Sequence, residues 1–217
     1  MNSAASAPIL VVKDLCFAYP GQPPLLRGWS ASITAGLTQL YGDDGSGKST
    51  LLRLMAGRLP AEGQLSLAGA SSTVDPKSYQ QGVFFVHPET DEFDQITASS
   101  CTSMLRAGDA GFDEARWESC VEGFSLAPHL AKPMYMLSTG SKRKVWLAAA
   151  LASGRALTLL DEPTAGLDNA SIRFLWRALA DAARPSNGRA IVVASAVHVD
   201  AVALSASIEL PPLASRP

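Results

Sequence analysis

An α/β fold, with strands and helices alternating around a buried parallel sheet, is what this sequence predicts, and three observations predict it. Runs such as Val83-Phe84-Phe85-Val86 and Ala190-Ile191-Val192-Val193-Ala194 are apolar without alternation, as in strands covered on both faces. Ile172, Leu175, Trp176 and Leu179 recur at i, i+3, i+4 and i+7, which makes 169–183 an amphipathic helix. A glycine-rich turn from Gly42 to Thr50 joins a strand-like run to a helix-like run, the order of a βα unit.

Taken in order, 9–12 and 15–19 are β-rich runs, followed by the turn 20–24. Residues 29–33 and 37–41 continue the strands, and 51–56 form a helix that Gly57 stops. The alternating stretch 63–69 and the apolar 83–86 are further strands, and the acidic, aperiodic 87–94 is a loop. Residues 96–131 read as mostly helical, and 140–153 as a second helical stretch. Strands at 156–160 and 190–194 enclose the 169–183 helix; a short helix and an edge strand at 208–210 follow. One domain over 1–217 is expected: a β-subdomain and core from about 9–95 and 154–210, and a helical subdomain from about 96–153.

The chain has 217 residues, 47% of them hydrophobic and 18% charged, which suits a globular domain and not a disordered one. Eighteen basic against 20 acidic residues give a net charge of −2, so no nucleic-acid partner is expected. The cluster Lys142-Arg143-Lys144 reads as a solvated helix face. Cys16, Cys101 and Cys120 lack metal-site or disulfide-framework spacing and read as reduced thiols of a cytosolic protein. Residues 1–8 have neither the basic region nor the apolar core of a signal peptide. The most apolar window, 145–160, falls short of the ~18 uninterrupted apolar residues a membrane span needs.

Gly42-Asp43-Asp44-Gly45-Ser46-Gly47-Lys48-Ser49-Thr50 matches G-x-x-x-x-G-K-[ST], a phosphate-binding loop. Glycines let successive backbone N–H groups turn inward onto phosphate oxygens, and a helix starting there adds the positive end of its dipole. Lys48 is placed to reach the β- and γ-phosphates, and the Ser49 hydroxyl to sit on Mg2+. Leu157-Thr158-Leu159-Leu160-Asp161-Glu162 is the second site: Asp161 ends a central strand, where it can hold the Mg2+, and Glu162 is placed to act as general base on water. Together they make one magnesium-nucleotide site.

Asp161-Glu162-Pro163-Thr164-Ala165-Gly166-Leu167-Asp168 extends the acids into a long, specific string. On these residues the chain resembles, from 9 to about 210, the nucleotide-binding subunits of ATP-binding cassette transporters. Leu137-Ser138-Thr139-Gly140-Ser141 looks like the family's signature, usually LSGGQ, and Ala165 to Asp168 resembles its D-loop. Tyr19 falls where the family places an aromatic that stacks on adenine. The resemblance implies a P-loop NTPase (RecA-like) core with a mixed sheet, an N-terminal antiparallel β subdomain and a helical subdomain. It also implies two cassettes, from the same or a different chain, paired head to tail. Each ATP then lies between one copy's phosphate loop and the other's signature, with Ser138 and the Gly140 N–H on the γ-phosphate. It further implies a separate integral membrane permease chain as partner, and a place on the cytoplasmic face of the inner (plasma) membrane. Compactness and the run 137–151 resemble the haem-exporter ATPases of cytochrome c maturation.

Three positions depart from the family pattern. Thr139 and Ser141 replace a glycine and the glutamine of the signature. His87 stands where a glutamine usually contacts magnesium and the attacking water, and keeps hydrogen-bonding capacity with shorter reach. After 191–195 the family has a histidine for the γ-phosphate; ungapped register puts Ala196 there, and a local bulge would be needed to bring in His198. The expectation is slow hydrolysis. Alternatives are a soluble, non-transport cassette ATPase, a nucleotide-sensing cassette with weak hydrolysis, or an unrelated P-loop kinase or GTPase. The last leaves 137–141 and 161–168 unexplained and lacks the GTPase N-K-x-D.

Overall fold

The computed structural model describes residues 7–210, so most of the N-terminal segment read as lacking a leader lies outside the described residues. Among the described residues, nine strands form two sheets. In the first, β1 (Leu10–Phe17), β2 (Leu26–Ile33), β4 (Glu62–Leu67) and β5 (Ala70–Ser71) pair antiparallel in the order β2-β1-β4-β5. In the second, β6 (Val83–Phe85), β7 (Leu157–Asp161), β8 (Ala190–Ser195), β3 (Gly36–Tyr41) and β9 (Ala206–Glu209) are parallel throughout, in the order β6-β7-β8-β3-β9. The mixture of parallel and antiparallel pairing is thus divided between two sheets.

The break in apolar pattern after Val12 is a bulge inside one strand. Asp14 turns left-handed (φ 50°), its N–H bonds the Ser30 hydroxyl, and pairing resumes at Leu15 opposite Trp29.

Helices cover the parallel sheet on one face. There α5 (Thr139–Ala152) and α6 (Asn169–Ala182) join α3 (Ala98–Leu105) and α4 (Glu114–Gly123), so that Cys101, Phe124, Leu151 and Leu175 share one apolar cluster with Leu37, Ile191 and Val193. Every residue of α5 from Val145 to Ala152 is buried, so this helix belongs to the core as much as to the helical segment. On the other face, α1 (Lys48–Met55) and the antiparallel sheet close a second cluster with Leu40, Leu159 and Val192.

Two elements differ from the sequence reading. A short helix α2 (Pro76–Gln81), capped by Asp75, was hidden by its polar composition; its anchor is the buried Tyr79, whose hydroxyl donates to Met55 O at 2.6 Å. The helix expected between β8 and β9 is absent. Gln39, buried in β3, ties that segment to the sheet as an irregular loop instead, donating to Val197 O (2.8 Å) and accepting from Val199 N–H (3.2 Å). Among the described residues, no helix is long and apolar enough to cross a membrane.

Candidate nucleotide site

β3 delivers the chain into the loop 42–47, and α1 leads out of it. Gly47, the cap of α1, has φ 88° and offers no side chain to the helix, so the first amides of α1 stay open to a ligand. A Cβ there would also lie 2.8 Å from the Leu25 side chain, and at Gly42 one would lie 2.8 Å from Leu210 O. Asp43, Asp44 and Gly45 are exposed, whereas Ser46 and Thr50 are buried and Ser49 half-buried. Lys48 is 6% exposed and folds back over the loop, donating to Gly42 O (2.7 Å) and Asp43 O (3.1 Å). Tyr19 stands beside the start of α1: its hydroxyl is 3.0 Å from the Thr50 hydroxyl, and Arg53 donates to it at 3.3 Å.

The acids arrive from β7, separated from β3 by β8. Asp161 Oδ1 is buried without a hydrogen-bond partner. An orphaned carboxylate oxygen next to a phosphate loop, with the Ser49 hydroxyl as second oxygen donor, fits Mg2+, which takes few protein oxygens and completes its shell with phosphate and water. Glu162 is left-handed (φ 41°), and its N–H donates to Ala194 O at 3.0 Å. Its carboxylate accepts from the Ala196 N–H at 2.8 Å and lies 3.7 Å from Lys48 Nζ. Partial burial raises the Glu162 pKa above the usual range, with Asp161 and Asp44 pushing the same way against Ala196 N–H and Lys48.

The sequence-predicted residues thus fall in three groups. Lys48, the loop glycines, Asp161 and Glu162 converge on one spot, with Tyr19 at its side. A second group is on the surface: Ser138 caps α5 by accepting from Ser141 N–H (3.1 Å), and Ser138 and Thr139 are exposed while Leu137 is buried. A Cβ on Gly140 would be 2.3 Å from Gly166 O, so the start of α5 and the 165–168 turn touch backbone to backbone. Asp168 caps α6 by accepting from Ser171 N–H (2.8 Å) and pairs with Lys144 at 2.7 Å; Lys144, then Ser171, hold its carboxyl well below the usual range. The third group is His87 alone. Its Nδ1 accepts from Glu89 N–H (3.3 Å), and it lines a groove of about 1020 Å³ with Arg53, Lys77, Gln80 and Arg155.

Ala196 follows β8 directly and meets Glu162 through its amide; the His198 ring instead stacks on Tyr41, centroids 3.8 Å apart. Sequence reading missed the cations after Ser141. They are not a solvated face: Lys142 pairs with Asp94, Arg143 bonds the Asp161 and Glu162 carbonyls, and Lys144 pairs with Asp168. Three consecutive residues on a helix point in three directions about 100° apart, and that signal was available in the sequence.

A phosphate loop and an Asp-Glu pair meeting across one strand define a P-loop NTPase fold. The ABC transporter family model matches residues 26–165, and the chain belongs to that family, as one of its ATP-binding subunits. It is 35% identical, over 78% of its length and 73% of the relative's, to the cytochrome c biogenesis ATP-binding export protein CcmA of Rhodospirillum rubrum. The cobalt import ATP-binding protein CbiO of Rhodobacter capsulatus is also 35% identical, over 77% of this chain and 63% of that one. Among solved structures, an ATP-binding subunit of an ABC transporter superposes with a TM-score of 0.76 at 24% identity, covering 87% of this chain and 80% of the other. CbiO1 of Clostridium perfringens, part of the ABC transporter complex CbiONQ, gives 0.64 at 24% identity, covering 88% and 79%. At that identity the superpositions speak for the fold.

Proposed function

We propose that this chain binds MgATP and hydrolyses it slowly, as half of a head-to-tail pair of cassettes that drives a separate membrane-spanning chain. The observation that carries the reading is the meeting of Lys48 and Glu162, 3.7 Å apart, beside the unpartnered Asp161 oxygen. Phosphate oxygens would take Lys48 from the loop carbonyls, Asp161 and Ser49 would hold Mg2+, which neutralises charge on the phosphates, and Glu162 would accept the proton of the attacking water.

The pairing is supported by the exposed start of α5. Ser138 and Thr139 are exposed and Gly140 half-buried at the first turn of α5, which leaves this helix start open to a nucleotide brought by another cassette. The membrane partner is supported by the groove at His87, and by relatives whose names describe transport. Equal identity to an export protein and an import protein is in keeping with a cassette that supplies coupling while the membrane chain chooses the cargo. Such a partner would hold the chain peripherally on the cytoplasmic face of the membrane.

Slow hydrolysis is supported at Ala196. Its N–H occupies the Glu162 carboxylate, and its methyl can offer the γ-phosphate nothing, while His198 is engaged with Tyr41. Phosphate release by the purified chain tests this. Turnover should be low, Glu162→Gln should abolish it while ATP stays bound, and His198→Ala should leave it unchanged; brisk turnover by the homodimer would refute the reading. Co-purification from detergent-solubilised membranes identifies the partner, and a chain recovered only from the soluble fraction would favour the non-transport alternative.

A further inference from the structure

Each cation of Lys142-Arg143-Lys144 reaches a different loop of the site. Lys142 pairs with Asp94, in the segment that begins at His87, and Lys144 with Asp168. Arg143 turns inward between them. Its Nη1 donates to the main-chain carbonyl of Glu162 and lies 3.5 Å from that of Asp161.

The turn it grips is an unusual one. Glu162 holds a left-handed backbone (φ 41°) that a side chain disfavours, and such a conformation persists only where neighbours over-determine it. Two neutral main-chain bonds help, Glu162 N–H to Ala194 O and Ala165 N–H to Glu162 O, each 3.0 Å. Arg143 adds the charged one, and a charge-assisted bond is stronger than a neutral one. The guanidinium is half-buried: burial pulls its pKa down, against the pull of Asp161, Glu162 and Glu89. Space-filling alone would be met more cheaply by an apolar side chain.

We propose that Arg143 is a positioning residue for ATP hydrolysis, a strut from the start of α5 that pins the strained turn so that Glu162 stays directed at the phosphate loop. The proposal rests on the reading of Glu162 as general base. It gives the segment 138–141 a direct route to the acid: any displacement of the first turns of α5 is carried by one rigid guanidinium to the Glu162 carbonyl.

Two measurements test it on the full chain, with Arg143→Met (stem kept, donors removed) and Arg143→Lys (charge kept, fork lost). Hydrogen exchange without nucleotide reads the turn itself. In Arg143→Met the Glu162 and Ala165 amides should exchange at least about tenfold faster, the loss of roughly 1.4 kcal/mol of local protection, with residues 145–152 unchanged. Unchanged exchange at 162–165, or a general rise across α5, would overturn the proposal. Steady-state kinetics read the chemistry. Arg143→Met should lower kcat about tenfold or more with KM for ATP within about twofold, and Arg143→Lys should recover part of it. A parallel loss of ATP binding would overturn it too. Absence of turnover in the unsubstituted chain would defeat the hydrolysis reading alone, and the exchange result would still decide on Arg143.

Discussion

Gly45 and Gly47 take φ values of 77° and 88° in the phosphate loop, where the lack of a side chain makes them free of strain; across the site Glu162 takes 41° with a full side chain attached. The loop side is shaped by what its residues lack, and its amides wait open with Lys48 folded onto the loop's own carbonyls. The acid side is held against its own preference by Ala194, Ala196 and Arg143. A binding surface can afford to relax, whereas a base must be kept at one place relative to water and phosphate. Binding and chemistry therefore call for different construction, and the two sides should fail differently.

The largest difference should come from Glu162→Gln, which removes the base and leaves the loop intact: kcat should fall by roughly 10²–10⁴, the usual worth of a positioned general base, with ATP affinity retained. Phosphate release against nucleotide binding separates the two. Lys48→Ala should do the reverse in order. Nucleotide affinity falls first, by up to about a hundredfold for a lost charge-assisted bond, as titration calorimetry would read. Gly140→Ala comes next. Its Cβ would meet Gly166 O at 2.3 Å, so the start of α5 must shift or the fold must lose about 1–3 kcal/mol, some 2–4 °C of melting temperature per kcal/mol in a domain of this size. A melting temperature equal to wild type, with unchanged turnover, would disprove the close contact.

The smallest effect is one of pH. The folded-state pKa of Glu162 is raised, so the carboxyl favours the folded state while protonated, and that contribution is lost as pH rises through the folded value. Glu162→Gln should therefore melt higher than wild type at neutral pH. The gap should close below the ordinary carboxylate range near ~4.3. A gap independent of pH would place the strain in the backbone alone.

The two sides were unequally legible in the sequence. The loop is written as consecutive residues with one spacing, and the apolar β7 run ending in Asp161-Glu162 marks the acids almost as directly. Main-chain strain at Glu162 leaves no such mark, because it is held by tertiary bonds to its main chain from Ala194 and Arg143. The Asp14 bulge and α2 were missed for a related reason: each is decided by one contact, Ser30 at the first and Tyr79 against Met55 at the second. Gln39 did carry a signal, a polar residue inside an apolar strand, and it decides why 196–205 is not a helix. Lys142-Arg143-Lys144 was read as one solvated patch although its spacing on a helix sends it three ways.

The backbone contact between Gly140 and Gly166 leaves no play between the two stretches of surface that a second cassette would press upon. There is no side chain to compress and no rotamer to flip. A push on either edge would meet the other directly, as between two gear teeth already in mesh, because a bare α-carbon is what lets the two backbones come that near.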